Sequence, residues 1–286
     1  MGGRGLVLSG GGPVGIAWEA GILAGLAETD PGVVEVATIV GTSAGSVVGA
    51  QLGLGVPPER LVAQQRRPSE RARARQQGSR PAADGIPDEL IEALLGGGDD
   101  PEGTRRRLGA LALDADTIDE DDFLASFGPR LADADWPEGV VCTAVDTADG
   151  RFVAFDRDAG VPLLRAVAAS CAVPGIYPPI TIGGRRYMDG GVRSMTSADL
   201  AVGCEEVLVL SLLAPAGPQG ATDPVTARQE AELATLRAAG ATVRVIAPDA
   251  EARSSMGPDL MDFSRRADAA EAGLAQGRAE AARPTG

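Results

Sequence analysis

The first third of the chain alternates short apolar runs with segments of helical periodicity. Leu6–Leu8 is an apolar run that ends in a serine and three glycines, which is typical of a buried strand before a tight turn. Apolar residues at helical spacing over Ile16–Ala27 predict the helix that follows, and Val33–Val40 predicts a second strand. The small residues of Ala44–Leu52 predict another buried helix. Strand, helix, strand and helix joined by short connections favour a parallel sheet.

The same alternation returns in the second half of the chain. Apolar runs over 140–145 and 207–212 predict buried strands, and Gly183-Gly184 between two short strands is typical of a two-residue hairpin. Further helices are expected over 162–170, 228–239 and 259–284. We therefore expect an α/β fold with a mainly parallel central sheet flanked by helices on both faces. This three-layer sandwich would form a single domain over residues 1–286.

Residues 57–138 interrupt this alternation. An arginine-rich stretch gives way there to a strongly acidic one that contains several helical pieces. We expect a helical insertion over the sheet that acts as a lid, the alternative being a solvated excursion without function. Within it, Thr117 and Glu120 have the spacing of a capping box, which predicts the start of a short helix.

The amino-acid composition limits the chemistry that this fold can perform. The 286 residues include no histidine, lysine or asparagine, so all 26 basic side chains are arginines. A Ser–His–Asp triad, a Cys–His pair, a histidine-ligated metal and a Schiff-base lysine are therefore excluded. Catalysis by this chain must use serine, acidic, cysteine, tyrosine or arginine side chains and backbone groups.

Charge and cysteine content narrow the choice of partners and compartment. The formal net charge of −14 disfavours binding to nucleic acid. Cys142, Cys171 and Cys204 are far apart and odd in number, so we expect neither a disulfide framework nor a thiolate zinc site. The sequence has no signal-peptide pattern and no apolar run of about 20 residues that would span a bilayer. These features predict a cytoplasmic protein.

A glycine-rich turn, Ser-Gly-Gly-Gly-Pro-Val-Gly, joins the first strand to the first helix over residues 9–15. Its glycines from Gly10 to Gly15 satisfy the dinucleotide-binding pattern Gly-x-Gly-x-x-Gly. That function requires an acidic residue at the end of the second strand to hold the ribose hydroxyls. The second strand ends in Ile39-Val40-Gly41 without one. Dinucleotide binding is therefore the less favoured interpretation.

Gly41-Thr42-Ser43-Ala44-Gly45 follows the second strand and precedes the small-residue helix, which is the setting of a nucleophile elbow. So tight a turn leaves no room for side chains at Gly41 and Gly45. It presents the Ser43 hydroxyl at a helix N-terminus, where the helix dipole favours developing negative charge. Ser43 is the candidate nucleophile, and the alternative is a close-packed turn without catalytic function.

A nucleophilic serine needs a base, and this composition leaves only a carboxylate or a water held by one. Asp189 is the candidate, because Asp189-Gly190-Gly191 directly follows the predicted hairpin and can present an acid beside the sheet. Asp-Gly is also a common turn pair, so an ordinary turn is the alternative explanation of this motif.

Together, the glycine-rich turn, Gly-x-Ser-x-Gly and Asp-Gly-Gly resemble the patatin-like phospholipase family. The stretch from Ala169 to Asp189 is also similar to the block that leads to the aspartate of that family. The resemblance covers both ends of the chain and is thin over 57–138. It implies a patatin-like sandwich that needs no metal and no cofactor.

The resemblance also implies a role for each motif residue. Ser43 and Asp189 would form a catalytic dyad that hydrolyses acyl esters, and the backbone amides around Gly10, Gly11 and Gly12 would form the oxyanion hole. The predicted function is therefore a serine hydrolase of lipid carboxylic esters, of the phospholipase A, lysophospholipase or esterase type. A non-catalytic lipid- or acyl-binding protein on the same fold is the alternative.

Two positions depart from the pattern of the family. Val14 stands where family members commonly carry a basic residue next to the glycine-rich turn. Arg193 lies in the run after Asp189-Gly190-Gly191, where an asparagine and a proline are usual, and it is a candidate source of charge near the site. The missing cation at Val14 would weaken the stabilisation of an oxyanion or a phosphate, which leaves the headgroup preference open.

The arginine-rich segment Arg66–Arg80 is a candidate for peripheral contact with anionic membrane lipids. The alternatives are a solvated helix face or an ion-pair partner of the acidic segment that follows. The expected partner is a lipid or other acyl-ester substrate, and we expect no binding to nucleic acid.

Overall fold

The computed structural model describes residues 2–67, 100–216, 220 and 223–283. Within these ranges the chain forms a sheet of eight strands. The strands are β1 (Arg4–Leu8), β2 (Thr38–Gly41), β3 (Val140–Asp146), β4 (Phe152–Phe155), β5 (Ile180–Ile182), β6 (Arg185–Asp189), β7 (Glu206–Leu210) and β8 (Thr242–Ile246). The helices in these ranges are α1 (Gly12–Ala27), α2 (Ala44–Gly53), α3 (Pro58–Arg66), α4 (Pro101–Asp114), α5 (Glu120–Ala125), α6 (Pro129–Ala132), α7 (Leu163–Ser170), α8 (Pro224–Ala238), α9 (Ala250–Met256) and α10 (Arg266–Ala281).

The centre of the sheet is parallel. Strands β8, β7, β1, β2 and β3 lie side by side in that order and each pairs in parallel with its neighbour. Strands β4, β5 and β6 add antiparallel pairs at the β3 end. The predicted α/β fold with a mainly parallel sheet is confirmed.

One edge of β3 pairs with two different strands. Cys142 lies opposite Gly41 of β2 and opposite Phe155 of β4, so β2 and β4 occupy opposite edges of β3. Ala144 lies opposite Asp189 of β6 and also opposite a residue of β4, so β6 shares its edge with β2. Because β2 runs parallel and β6 antiparallel to β3, the carboxyl ends of β2 and β6 face each other.

Helices cover both faces of the sheet. Leu6 and Leu8 of β1 belong to an apolar cluster that includes residues of α1, α2 and α10. Val7 points to the opposite face, where it packs in a second cluster with Leu233 and Leu236 of α8. Since successive residues of a strand face opposite sides, a single strand thus contacts both helical layers. This is the three-layer arrangement that the sequence predicts.

Helices α1 and α10 pack closely through glycines. A Cβ at Gly25 of α1 would lie 2.5 Å from the Leu274 carbonyl oxygen, and one at Gly277 of α10 would lie 2.5 Å from that of Ile22. Only glycine lets the two backbones approach so closely. This contact holds α1, whose first turn carries the glycine-rich motif, against the rest of the domain.

The second strand is shorter than the sequence predicts. It begins at Thr38, and the residues before it include a 3₁₀ turn over Pro31–Val34. The side chain of Asp30 caps that turn by accepting a hydrogen bond from the Gly32 amide at 3.1 Å. The predicted strand over 33–37 was therefore wrong, because a local cap outweighs the β-branched residues there.

The predicted capping box was also wrong. Asp119, not Thr117, is the N-cap of α5, and its side chain makes no capping hydrogen bond. The Glu120 carboxylate instead accepts hydrogen bonds from the backbone amide of Thr181, at 2.9 Å, and from the Arg165 guanidinium, at 2.7 Å. Glu120 thus joins α5 to the edge strand β5 rather than to its own helix.

The predicted insertion contacts both faces of the sheet. Phe123 of α5 is buried and stacks on Tyr177, with ring centroids 4.5 Å apart, on the face that carries α1. Leu108 of α4 packs with Val145 of β3 on the opposite face. Residues 68–99 lie outside the described ranges. The function of the whole insertion, residues 57–138, as a lid stays a prediction.

Candidate active site

Ser43 occupies a sharp turn between β2 and α2. Its backbone has φ 51° and ψ −114°, a positive-φ conformation that residues other than glycine rarely adopt. Such a conformation costs about 1–3 kcal/mol and persists only where the surrounding structure enforces it. This is the backbone geometry of a nucleophile elbow, in which a strand turns abruptly into a helix with the serine at the turn.

Gly41 and Gly45 make this turn possible. A Cβ at Gly41 would lie 2.5 Å from Ser46 Cα, and a Cβ at Gly45 would overlap the Leu8 carbonyl group. No side chain fits at either position without moving the turn. The two glycines therefore lie where the elbow motif predicts, and for the predicted reason.

The backbone of Ser43 is held by neighbouring side chains. Its amide donates to Ser170 Oγ at 2.9 Å, and its carbonyl accepts from Ser46 Oγ at 2.7 Å and from Cys171 Sγ at 3.3 Å. None of these bonds uses the Ser43 hydroxyl, which remains available for chemistry. Cys171 thus supports the turn.

Asp189 ends β6 and is 4% exposed. Its Oδ1 accepts a hydrogen bond from the Gly191 amide at 2.7 Å, and its own amide donates to the Ala172 carbonyl at 3.0 Å. Its Oδ2 is buried and has no hydrogen-bond partner of ordinary geometry among the described residues. One carboxylate oxygen is therefore anchored, and the other is free to take a proton.

Burial raises the pKa of Asp189 to about 7, while hydrogen bonding to the nearby Ser43 hydroxyl and to the Gly191 amide lowers it in part. Desolvation is the largest cause, because the charged carboxylate loses its hydration inside the protein. A carboxylate with a pKa near neutrality is a much stronger base than an ordinary aspartate, whose pKa is about 3.9.

Thr143 of β3 lies between the two predicted catalytic residues. Its hydroxyl is 2.9 Å from that of Thr42, which precedes Ser43. On the other side it faces Gly190, where a Cβ would overlap the Thr143 hydroxyl. The structure therefore brings Ser43 and Asp189 together around a single residue of their shared partner strand.

The glycine-rich turn lies beside Ser43. A Cβ at Gly10 would be 3.5 Å from Ser43 Cβ, so the absence of a side chain leaves room next to Ser43. The Gly10 amide donates to the Met195 carbonyl at 2.8 Å and is therefore already engaged. Among the described residues, the amides of Gly11 and Gly12 donate to no backbone carbonyl. These two amides lie at the N-terminus of α1, which favours negative charge.

Neither departure from the family pattern places a cation beside Ser43. Val14, in the first turn of α1, is fully buried in the core. Arg193 is turned to Asp199, with nitrogen–oxygen distances of 2.7 and 2.6 Å, and lies 3.4 Å from Glu232. The expectation that Arg193 supplies charge to the site is not met, because its guanidinium is engaged by these carboxylates.

A pocket of about 280 Å³ opens over Ser43. Its walls come from α1, α2, α3 and the α5–α6 part of the insertion, and from the segments around residues 171–177 and 261–266. Most of the lining is apolar or aromatic, and it includes Ile16, Val47, Phe123, Phe127, Leu131, Val173, Tyr177, Met261 and Phe263. Sequence reasoning missed this set, because its members are separated in the chain and each has the pattern of a core residue.

Two arginines also line this pocket, and among the described residues no acidic side chain does. Arg266 donates to Gln65 Oε1 through Nε at 2.9 Å and Nη2 at 2.7 Å. Arg130 is exposed and has no acidic partner in the part of the chain that the structure describes. In a protein of net charge −14, this is a locally positive pocket.

The predicted membrane-contact segment is described only at its start. Arg66 pairs with Glu271, with Nη2 and Oε2 3.1 Å apart, and residues 68–80 lie outside the described ranges. None of the described helices is long and apolar enough to cross a membrane. Over the same residues, no group of three or more cysteine and acidic side chains is placed to hold a metal ion.

The fold and the site together define an α/β protein with a serine elbow and a buried aspartate at the ends of neighbouring strands. A family model described as "Patatin-like phospholipase" matches residues 6–202, and the chain belongs to that family. The match includes the glycine-rich turn, the elbow and Asp189, which are the motifs that carry the resemblance in the sequence.

Comparisons with solved structures and with curated proteins give less information than the family model. The chain is similar to the solved structure described as "Crystal structure of type III effector protein ExoU", with 16% sequence identity and a TM-score of 0.37. The alignment covers 99% of this chain and 54% of that one, so the present chain spans about half its length. A search of curated proteins found no match.

Proposed function

We propose that this chain is a serine hydrolase that cleaves carboxylic ester bonds of lipids. The observation that carries the proposal is the pairing of a strained, elbow-held Ser43 with a buried Asp189 whose pKa is about 7. Membership of the patatin-like phospholipase family supports lipid esters as the general class of substrate. The absence of histidine and lysine from the chain leaves a carboxylate as the base.

In the proposed mechanism, Ser43 Oγ attacks the acyl carbonyl while its proton passes to Asp189 Oδ2, the oxygen that is not anchored by Gly191. Collapse of the tetrahedral intermediate returns that proton to the leaving alcohol and leaves an acyl-serine. Water then attacks the acyl group, again giving its proton to Asp189. The carboxylic acid product leaves, and the proton on Asp189 returns to Ser43.

The oxyanion of the tetrahedral intermediate needs hydrogen-bond donors. We assign this function to the amides of Gly11 and Gly12, at the start of α1, because the Gly10 amide is engaged by Met195. In this assignment Gly10 contributes space beside Ser43 rather than a donor. One such donor contributes about 2.7–4 kcal/mol in a serine protease.

The pocket supports an amphiphilic substrate. Its apolar and aromatic walls suit an acyl chain, and Arg130 at its wall suits an anionic group on the same molecule. The absence of acidic side chains from the described lining removes the repulsion that such a group would meet elsewhere on this protein. Peripheral membrane contact through Arg66–Arg80 and a cytoplasmic location stay predictions.

The two alternatives explain fewer of the observations. A non-catalytic acyl-binding protein would need the pocket but neither a positive-φ serine nor a buried aspartate next to it. A dinucleotide enzyme would need open space at the glycine-rich turn. A Cβ at Gly12 would lie 2.6 Å from the Leu260 carbonyl oxygen, so the Leu260 backbone covers one side of that turn and reduces the room for a pyrophosphate.

Hydrolysis of p-nitrophenyl esters tests the proposal. We expect the purified protein to release p-nitrophenol, the Ser43→Ala variant to fall to background, and Ser254→Ala, which changes an exposed serine of α9 outside the pocket lining, to remain active. Binding of a fluorescent fatty acid without turnover of any ester would favour the acyl-binding alternative. Measurable NAD or FAD binding would favour the dinucleotide alternative.

A further inference from the structure

The loop after Asp189 contains a buried ion-pair network that the proposed chemistry does not use. We call residues 190–199 the aspartate loop. Arg193 in this loop makes a bidentate contact with Asp199, at 2.7 and 2.6 Å, and stacks over the Phe152 ring at 4.5 Å. Its side chain is 13% exposed. A guanidinium so placed holds the two ends of the loop together.

Glu232 of α8 anchors the same loop to the helical layer that covers the face of the sheet opposite α1. It is buried, and its Oε2 accepts hydrogen bonds from Thr196 Oγ1 at 2.8 Å and from the Ala198 amide at 3.0 Å. Its Oε1 lies 3.4 Å from Arg193 and 3.4 Å from Arg228. One carboxylate thus contacts the loop at three positions.

The aspartate loop touches both halves of the proposed catalytic machinery. At its start, the Gly191 amide anchors Asp189 Oδ1 at 2.7 Å. At its middle, the Met195 carbonyl accepts the Gly10 amide at 2.8 Å, and a Cβ at Gly10 would lie 2.9 Å from Met195 Cε. A shift of this loop would therefore move the base and the glycine-rich turn together.

The loop does not adopt this shape without support. Ser197 has φ 49° and ψ 38°, the left-handed conformation that non-glycine residues occupy rarely. Its hydroxyl is buried and has no hydrogen-bond partner among the described residues. A strained residue with an unsatisfied hydroxyl persists because the contacts around it fix the backbone.

We propose that Arg193 and Glu232 are positioning residues that set the distance between Asp189 and the oxyanion hole through the aspartate loop. The proposal rests on the proposed function, because it assigns these residues to the same reaction. Neither residue lines the pocket, so they would act on the chemical step and not on substrate binding. A misplacement of about 1 Å at a reacting centre lowers rates by about 100-fold.

Esterase kinetics on four variants test this assignment. Arg193→Gln and Glu232→Gln should lower kcat by about 10- to 100-fold with KM almost unchanged. Arg193→Lys should recover part of the loss, because it restores the charge without the bidentate geometry. Arg228→Gln is the matched control, since Arg228 contacts the same Glu232 oxygen but not the loop, and it should retain wild-type kcat.

The outcomes separate the positioning role from its alternatives. Folded Arg193→Gln and Glu232→Gln variants with wild-type kcat would overturn the inference while leaving the proposed function intact. A rise in KM with kcat unchanged would also overturn it. If Arg193→Gln does not fold, Glu232→Gln decides, because it keeps the shape of the side chain and an acceptor for Thr196. A wild-type protein that hydrolyses no ester would overturn both proposals.

Discussion

Ser43 follows β2 and Asp189 ends β6, two strands that run in opposite directions along one edge of β3 and end on either side of Thr143. Backbone hydrogen bonds to a single strand therefore set the separation of the proposed nucleophile and base. No loop has to fold back to bring them together. Serine hydrolases commonly use a histidine to activate the serine. In the proposed mechanism this arrangement lets Asp189 take that role directly.

The pH dependence of hydrolysis follows from the pKa of Asp189. Because the base is active only when ionised, we expect activity to rise with pH through an apparent pKa of about 7 and then level off. The measurement is kcat/KM for a p-nitrophenyl ester between pH 5 and pH 9, corrected for alkaline background hydrolysis. A profile that is flat from pH 5 upward would show that the base is an ordinary, hydrated carboxylate.

The same buried carboxyl should destabilise the folded protein at alkaline pH. Folding raises the pKa of Asp189 from 3.8 to about 7, so the folded state binds the proton more tightly and stability falls as pH rises through that range. We expect Asp189→Asn to be more stable than wild type at pH 8, by up to about 4 kcal/mol, and much closer to it at pH 4. Urea unfolding at both pH values measures this.

The contribution of Glu19 does not obscure that comparison. Burial also raises the pKa of Glu19 well above its usual value, and its two carboxylate oxygens have no partner among the described residues. The wild type and the Asp189 variant share this group, so its effect cancels in their difference. Equal pH dependence of stability in the two proteins would contradict the burial of Asp189 as a charged group.

The strain at the elbow should appear in a comparison of Ser43→Gly with Ser43→Ala. Because φ is 51° at this position, glycine removes strain that alanine keeps, and we expect Ser43→Gly to be the more stable by about 1 kcal/mol. At Ser46, inside α2, we expect Ser46→Ala to be more stable than Ser46→Gly, since glycine costs about 0.5–1 kcal/mol in a helix. Thermal or urea unfolding of the four variants measures these differences. The same order of stability at both positions would contradict the positive φ of Ser43.

The charge of Arg130 should affect some substrates and not others. Replacing it with glutamine removes an exposed cation from a pocket wall without changing the proposed dyad. We expect KM to rise about 5- to 10-fold for an anionic lysophospholipid, a loss of the order of 1 kcal/mol, and to stay unchanged for a neutral p-nitrophenyl ester. An equal effect on both substrates would show that Arg130 supports the fold of α6 rather than the binding of charge.

Much of the fold and part of the site were predictable from local patterns. The elbow could be predicted because Gly41 is required by clashes with Gly45 and Ser46, close to Ser43 in the chain, and the hairpin because both its glycines have positive φ. The clash that requires Gly45 is with Leu8 of β1 and is not local. The meeting of Asp189 with Ser43 could only be proposed, since it depends on which edge of β3 each strand takes. No spacing in the sequence encodes that choice.

Two of the errors arose where a side chain had two possible partners. Glu120 has the spacing to cap its own helix but binds Thr181, a residue 61 positions away. Arg193 has the position to supply charge to the site but is held by Asp199 and Glu232. A sequence shows the local partner first, and packing decides between the local and the distant one.

Reaction of Ser43 with a fluorophosphonate tests the proposed dyad most directly. The probe bonds covalently to an activated serine, and mass spectrometry of the peptide that contains residue 43 measures the rate of modification at pH 8. We predict rapid modification of Ser43 in the wild type, none at residue 43 in Ser43→Ala, and a rate lowered by two or more orders of magnitude in Asp189→Asn. Modification of Ser43 at the same rate in wild type and Asp189→Asn would contradict the assignment of Asp189 as the base.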